Sequence, residues 1–213
     1  MKKLARMFML AMVVMFHSVA TAQTIKDVFT NSETPLTYLG IDFTKARLID
    51  DAAANEMDIR DRQFAGINDV IVNEPKRYDL KGAFNKSEIT HDLGPVGKRN
   101  KNINAENIKS TNTADYSRLK EADITALVKG FDFGGKKGVG LLFVMEGMSK
   151  SQKGSSVWVT LVDMNNKKVL MTERMEAKAA GGFGFRNYWA STIRTLIETI
   201  DKKKYKEWKQ KFS

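Results

Sequence analysis

Seven consecutive residues, Val139 to Met145 (VGLLFVM), carry no polar or charged side chain, and Val157 to Val162 (VWVTLV) is almost as apolar. Runs of this kind are expected of strands covered on both faces, because a half-exposed strand would alternate apolar with polar positions. Asp163-Met164-Asn165-Asn166-Lys167 supplies turn residues after the second run, and Val169 to Ala177 returns as its hairpin partner. A sheet hidden on both sides needs helices to hide it.

The rest of the chain supplies them. Leu36 to Ile49 reads as a strand with Leu39, Ile41 and Phe43 on one face, after which the phase slips to Ala46 and Leu48 and predicts a bulge near Thr44. Asn55-Glu56-Met57-Asp58 resembles a helix start, and Met57, Phe64, Ile67 and Ile71 follow at helical spacing until Pro75 forbids continuation. Between 76 and 96, Tyr78, Leu80 and Phe84 fit a short helix, and Ile89, His91 and Leu93 alternate as a strand does. Residues 97–113 (GKRNKNINAENIKSTNT) are basic, Asn-rich and nearly free of apolar side chains, and read as a long exposed, mobile loop. Lys120 to Lys129 reads as a helix with Ile124, Leu127 and Val128 inward and Gly130 at its end. Beyond Gly181, Gly182 and Gly184, a stripe of Trp189, Ile193, Leu196, Ile197 and Ile200 marks an amphipathic helix that runs on toward Trp208 and Phe212. The expected fold is α/β, with α+β as the alternative. It has one mixed sheet with helices packed on it, in the order β-α-α-β-β-β-α, and a long C-terminal helix.

Lys2, Lys3 and Arg6, the short apolar run Met7 to Phe16 and the Ala20-Thr21-Ala22 cleavage pattern mark residues 1–22 as a secretory signal, leaving 23–213 as a single domain. The expected location is periplasmic or extracellular, with no transmembrane segment in the mature chain. Removing the signal lowers the 35 basic residues to 32 against 25 acidic ones, so the net charge falls from +10 to +7. It also removes His17, so His91 is the one histidine left, and there is no cysteine.

These counts narrow the chemistry. Disulfides, thiolate metal sites and a cysteine nucleophile are ruled out, and with one histidine any metal site would be carboxylate-rich, so neither metal nor cofactor is expected. His91-Asp92 cannot form a catalytic pair on a strand, where neighbours point to opposite faces, and no Gly-x-Ser-x-Gly turn is present. Asp58 and Asp61 pair more simply with Arg60 and Arg62 than with a metal. Asp132-Phe133-Gly134 lacks the companion motifs of a kinase, and Gly138-x-Gly140 reads as a place where another group approaches the strand. Glu146 and Glu173 are the acids expected to be partly buried, and a carboxylate-dependent hydrolase of envelope polysaccharide would draw on them. Their structural alternative is ion pairing with Arg174, Lys178 or Arg186. Gly182, Gly184 and Arg186 form a glycine-rich entry to a helix whose backbone N–H groups suit a small anionic ligand, although Asn187 stands where a dinucleotide fingerprint needs its third glycine. The structural alternative there is a sharp strand-to-helix corner.

The C-terminal segment offers Lys202, Lys203, Lys204, Lys206 and Lys209 to an envelope protein or an anionic surface, unless these lysines are simply the solvated face of the helix. Nucleic acid is not an expected partner. Residues 138–200 combine an apolar strand, the hairpin VWVTLVDMNNKKVL, a glycine-containing loop and the helix RNYWASTIRTLIETI. In outline this resembles secreted Bacteroidetes-like envelope proteins with a curli-export-type α/β domain. Lipoprotein members of that group carry a cysteine at the cleavage site where this chain has Gln23, so lipid anchoring does not follow and no residue role is carried over. The expected function is that of an exported, noncatalytic interaction or assembly module, presenting a sheet edge, the 97–113 segment or the C-terminal helix.

Overall fold

A computed structural model describes residues 24–213. The segment 1–22 expected to be a signal, His17 within it, and Gln23 lie outside the described residues.

Helix α1 (Ile25–Thr30) precedes strands β1 (Leu36–Asp42) and β2 (Arg47–Ile49). Helices α2 (Glu56–Asp58) and α3 (Phe64–Asn73) are joined by a π-helical turn (Ile59–Gln63), and α4 (Leu80–Ala83), β3 (Thr90–His91), α5 (Gly94–Asn100), β4 (Lys109–Ser110) and α6 (Glu121–Lys129) follow. Three long strands come next, β5 (Val139–Ser149), β6 (Gly154–Asp163) and β7 (Lys168–Lys178). Helix α7 (Gly184–Thr199) then passes through a second π-helical turn (Ile200–Lys204) into α8 (Tyr205–Phe212).

All eleven residues of β5 are buried, as its composition demands. Along one side it pairs in parallel with β1 and then with β2, which lie end to end, and along the other it pairs antiparallel with β6. Strand β7 completes the hairpin with β6, while β3 and β4 add short parallel pairings outside β1 and β2. The result is one mixed α/β sheet. On one face Tyr38, Phe143 and Val159 pack against Phe64, Ile67 and Ile71 of α3 and Trp189, Ile193 and Leu196 of α7. On the other, Leu142, Val144 and Trp158 pack against Ile124, Leu127 and Val128 of α6.

In place of the bulge expected near Thr44, the strand breaks: residues 43–46 turn and separate β1 from β2. A second irregularity was not legible: the β1–β5 register shifts between Tyr38 and Gly40, and Gly40 has φ +93°. Leu39 therefore does not share a face with Ile41 and Phe43 but joins the α6 side, where its side chain fills the space in front of Gly140. That contact accounts for the glycine at 140, because a Cβ there would meet Leu39 Cδ1 at 2.5 Å. Met57 is half exposed rather than buried, because the π-helical turn inserts a residue before Phe64 and hands the inward position to Ile59.

The largest departure is at 97–113. In place of a loop, the segment completes α5 and forms a 3-10 turn (Ala105–Asn107) and β4, with Asn100, Ala105 and Ile108 buried. Pro95 at the first turn of α5 favours that helix start, and Asn104 caps the 3-10 turn through the N–H of Glu106 at 3.2 Å. Helix α1, also not anticipated, is closed by a capping box between Thr24 and Asp27 and packs Phe29 against Tyr205 and Phe212 of α8, with ring centroids 5.6 and 5.7 Å apart.

Candidate functional site

Strand β7 leaves the sheet at Lys178, and the chain turns into α7 through Ala179–Phe183. Ala179 N–H donates to the Lys153 carbonyl at 2.8 Å, Ala180 N–H donates to Ser191 Oγ at 3.1 Å, and that hydroxyl donates to the Tyr188 carbonyl at 2.7 Å. Gly181, Gly182 and Gly184 have φ of +94°, +138° and +79°. Gly182 is pressed against the first turn of α7, where a Cβ would lie 2.6 Å from the Asn187 carbonyl oxygen. The corner is thus tied down at three points, and left-handed backbone geometry throws Phe183 outward. Phe183 is 97% exposed. Beside it lies a shallow depression lined by Ala53, Ala54, Lys150, Phe185 and Tyr188.

Gly182 and Gly184 border this depression, but Arg186 does not. Its stem lies across Gly66 of α3, with Cδ 3.0 Å from where a Cβ would sit, and its Nε donates to Asn187 Oδ1 at 3.2 Å. The cation at the corner is Lys150, which already stacks over Tyr188 at 4.1 Å and faces Asp51 at 3.8 Å.

The two acids singled out in the sequence sit on opposite faces of the sheet. Glu146 is fully buried on the α6 side, where its carboxylate accepts from Trp158 Nε1 at 3.0 Å, Ser156 Oγ at 3.1 Å and the backbone N–H of Leu119. Glu173, opposite Val159, accepts from Trp208 Nε1 at 2.5 Å and pairs with Lys204 at 2.7 Å on the α7 and α8 side. With the sheet between them, they cannot flank one glycosidic bond. Neither forms the ion pair with Arg174, Lys178 or Arg186 that spacing offered.

Lys204 accordingly leaves the solvated lysine face. It bridges Glu173 and Glu207, and those two carboxylates raise its pKa above the ordinary lysine value. Lys202 pairs with Glu198 at 3.5 Å and Lys203 approaches Glu207 at 3.9 Å, while Lys206 and Lys209 are exposed.

His91 is exposed on β3 in register with Tyr38, and Asp92 turns away from it to Lys136 at 2.6 Å and to the Gly94 N–H at 3.0 Å. The Asp92 carboxyl is held below its usual range despite partial burial, because these two partners outweigh desolvation. A cavity of about 230 Å³ beside His91 is lined by Tyr38 and Tyr78. The buried Tyr38 hydroxyl has no hydrogen-bond partner among the described residues, and burial pushes its pKa up. Asp58 pairs with Arg62 at 2.7 Å and Asp61 with Arg60 at 2.6 Å. Asp132 accepts from the Gly134 N–H at 2.9 Å in a local turn, and Phe133 packs on Phe131. Among the described residues no cluster of three or more His, Asp or Glu is arranged to hold a metal, and no helix is long and apolar enough to cross a membrane.

Phe183 carried no signal in the sequence, where one aromatic among glycines reads as filler. Only the folded backbone shows that nothing covers it. Neither protein-family models nor curated protein sequences give a match to this chain.

Proposed function

We propose that the protein is an exported, noncatalytic interaction module of the cell envelope that docks a partner protein by inserting Phe183 into an apolar pocket of that partner. One observation carries this reading: Phe183 is 97% exposed on a corner whose β7 end is held by the Ala179 and Ala180 N–H groups, donating to the Lys153 carbonyl and to Ser191 Oγ of α7. Burying such a ring is worth about 1.5–3 kcal/mol, and a prefixed anchor loses little entropy on docking. The depression lined by Ala53, Ala54 and Tyr188 provides a rim around the anchor. The long edge of β7 is a poorer docking site, because Glu173, Arg174, Glu176 and Lys178 guard it with mixed charge. Export is supported by the pattern in residues 1–22, and an envelope role by the resemblance of residues 138–200 to secreted envelope proteins.

The test is competition for a photocrosslink. Protein carrying a photoreactive phenylalanine analogue at position 183 is irradiated in envelope extract, with a second sample labelled at Lys206. The expected result is a discrete crosslinked protein from position 183 only, abolished by excess unlabelled wild type and not by excess unlabelled Phe183→Ser. If Phe183→Ser competes as well as wild type, or if the label at 183 captures only lipid, the reading is wrong.

A further inference from the structure

The break between β1 and β2 opens a further concavity on the molecule, remote in sequence from the glycine-rich corner. Lys45, Arg47 and Arg118 share a cavity of about 460 Å³ with Asn102, Asn104 and Asn107 from the turn after α5. Its volume is in the range of small-molecule sites. Ile103 and Leu119 contribute apolar wall, and no acidic or aromatic side chain lines it.

Among the described residues only one of these three cations, Arg118, has a carboxylate within 4.0 Å. That carboxylate, Asp115, is 4.0 Å from Arg118 Nε and also accepts from the Ser110 hydroxyl at 2.7 Å. Arg118 donates through Nη2 to the Lys45 carbonyl at 2.5 Å, but its Nη1 has no acceptor among the described residues. Arg47 donates through Nη1 to the Ala46 carbonyl at 3.1 Å and forms no ion pair among the described residues. Burial and then the neighbouring Arg118 charge hold the Arg47 guanidinium below its ordinary pKa, with Asp115 opposing them weakly. Like charges brought together at a partly buried site are unfavourable until an anion joins them.

The opposite wall supplies neutral groups. Asn102 donates to the Lys98 carbonyl at 3.0 Å and Asn104 accepts from Glu106 N–H at 3.2 Å, while the Asn104 amide N–H groups and the whole Asn107 side chain have no partner among the described residues. Carboxamides both donate and accept, as sugar hydroxyls do. Without an aromatic face, the cavity has nothing on which a nucleobase would stack.

We propose that this cavity binds an anionic sugar, with its carboxylate or phosphate between Lys45, Arg47 and Arg118 and its hydroxyls on the asparagine amides. Guanidinium groups match the planar geometry of a carboxylate and the oxygens of a phosphate equally well, so a uronic acid and a sugar phosphate are the two sources of the same chemistry.

Calorimetric titration of the protein at constant ionic strength with glucuronate, glucose 6-phosphate, glucose and inorganic phosphate separates them. At least one of the two anionic sugars is expected to bind at least tenfold more tightly than both glucose and inorganic phosphate, and whichever binds identifies the source. Arg47→Gln should weaken that binding at least tenfold while leaving the thermal midpoint unchanged, and Lys45→Gln, at an exposed position, serves as the second variant should the first be unstable. A margin below tenfold between the tighter anionic sugar and either glucose or inorganic phosphate, no binding by either anionic sugar, or unchanged affinity in the folded variant would each overturn the proposal.

Discussion

Asn68 completes the edge of β1 at Ile41 as a neighbouring strand would, its Oδ1 accepting from the Ile41 N–H at 2.7 Å and its Nδ2 donating to the Ile41 carbonyl at 3.1 Å. Asn100 continues the device two residues on, accepting from the Phe43 N–H at 2.8 Å and donating to the Ile41 carbonyl at 2.9 Å. Strand β3 reaches only as far as Tyr38 and β4 begins opposite Leu48, so two buried carboxamides fill the gap between them. An edge hidden under helices without such partners would leave peptide groups unsatisfied.

Asn68→Leu and Asn100→Leu should therefore each cost about 1–3 kcal/mol of unfolding free energy, since each strands one buried strand N–H, of Ile41 or of Phe43, while the Ile41 carbonyl keeps the other asparagine as its donor. Asn102→Ala, in the same Asn-rich segment but exposed, should change stability by less than about 0.5 kcal/mol. Urea denaturation of the three variants measures this, and equal losses at 100 and 102 would refute the edge-capping role.

Glu146 is a buried acceptor with three neutral donors and no cation beside it. Glu146→Ala should lose about 3 kcal/mol or more, because the Trp158 indole, the Ser156 hydroxyl and the Leu119 amide are stranded together and a void opens. Trp158→Phe, removing one donor, should cost less than the Glu146 variant. In the double variant the losses should fall short of additive, as expected of two members of one network and measurable by a denaturation cycle.

Lys86 is buried, with its ammonium donating to the Val28 carbonyl and, at 2.8 Å, to the Asn31 carbonyl at the end of α1. Burial lowers its pKa from 10.5 to about 8, against the weaker pull of Glu33. Between those two values the unfolded chain holds a proton that the folded protein lacks, so stability contributed by this group rises with pH from about 8 to about 10.5 and is flat on either side. Denaturant midpoints at pH 7, 9 and 10.5 should show the wild type gaining on Lys86→Met across that window. Parallel curves for the two proteins would contradict it.

Gly147 sits at the β5–β6 bulge where the 3-10 turn Thr113–Ser117 crosses the strand, and a Cβ there would lie 2.7 Å from Tyr116 Cα. Gly147→Ala should destabilise by about 1–3 kcal/mol through overpacking against backbone that cannot yield. Gly97→Ala, which meets nothing within 4 Å, is the matched control in a thermal melt.

The alternation of long apolar runs with amphipathic helices made the central sheet and its covering readable from residue types, because burial on two faces makes β5 and β6 mostly apolar and leaves room only for polar side chains with partners, such as Glu146 and Ser156. What defeated reading at 97–113 was the same logic applied to a different case. Asn100 looks like loop composition, yet it is buried because it replaces a strand, and amide-for-peptide substitution has no periodicity to detect. Leu39 and Met57 missed their expected faces because a positive-φ glycine and a π-helical turn each shift the phase by one residue.

The sites divide in the same way. Sequence alone determined the chemistry that this chain lacks, with no cysteine and only His17 and His91 for imidazole, and it determined that an apolar sheet had to be covered by helices. Tertiary structure decided everything that depends on distance. It put Glu146 and Glu173 on opposite faces, drew Lys204 inward to Glu173, laid Arg186 over Gly66, and gathered Arg47, Arg118 and three asparagines around one cavity. Local preference along a chain sets which elements form, whereas coupling between charges and amides far apart in sequence exists only once a sheet has fixed the elements in space.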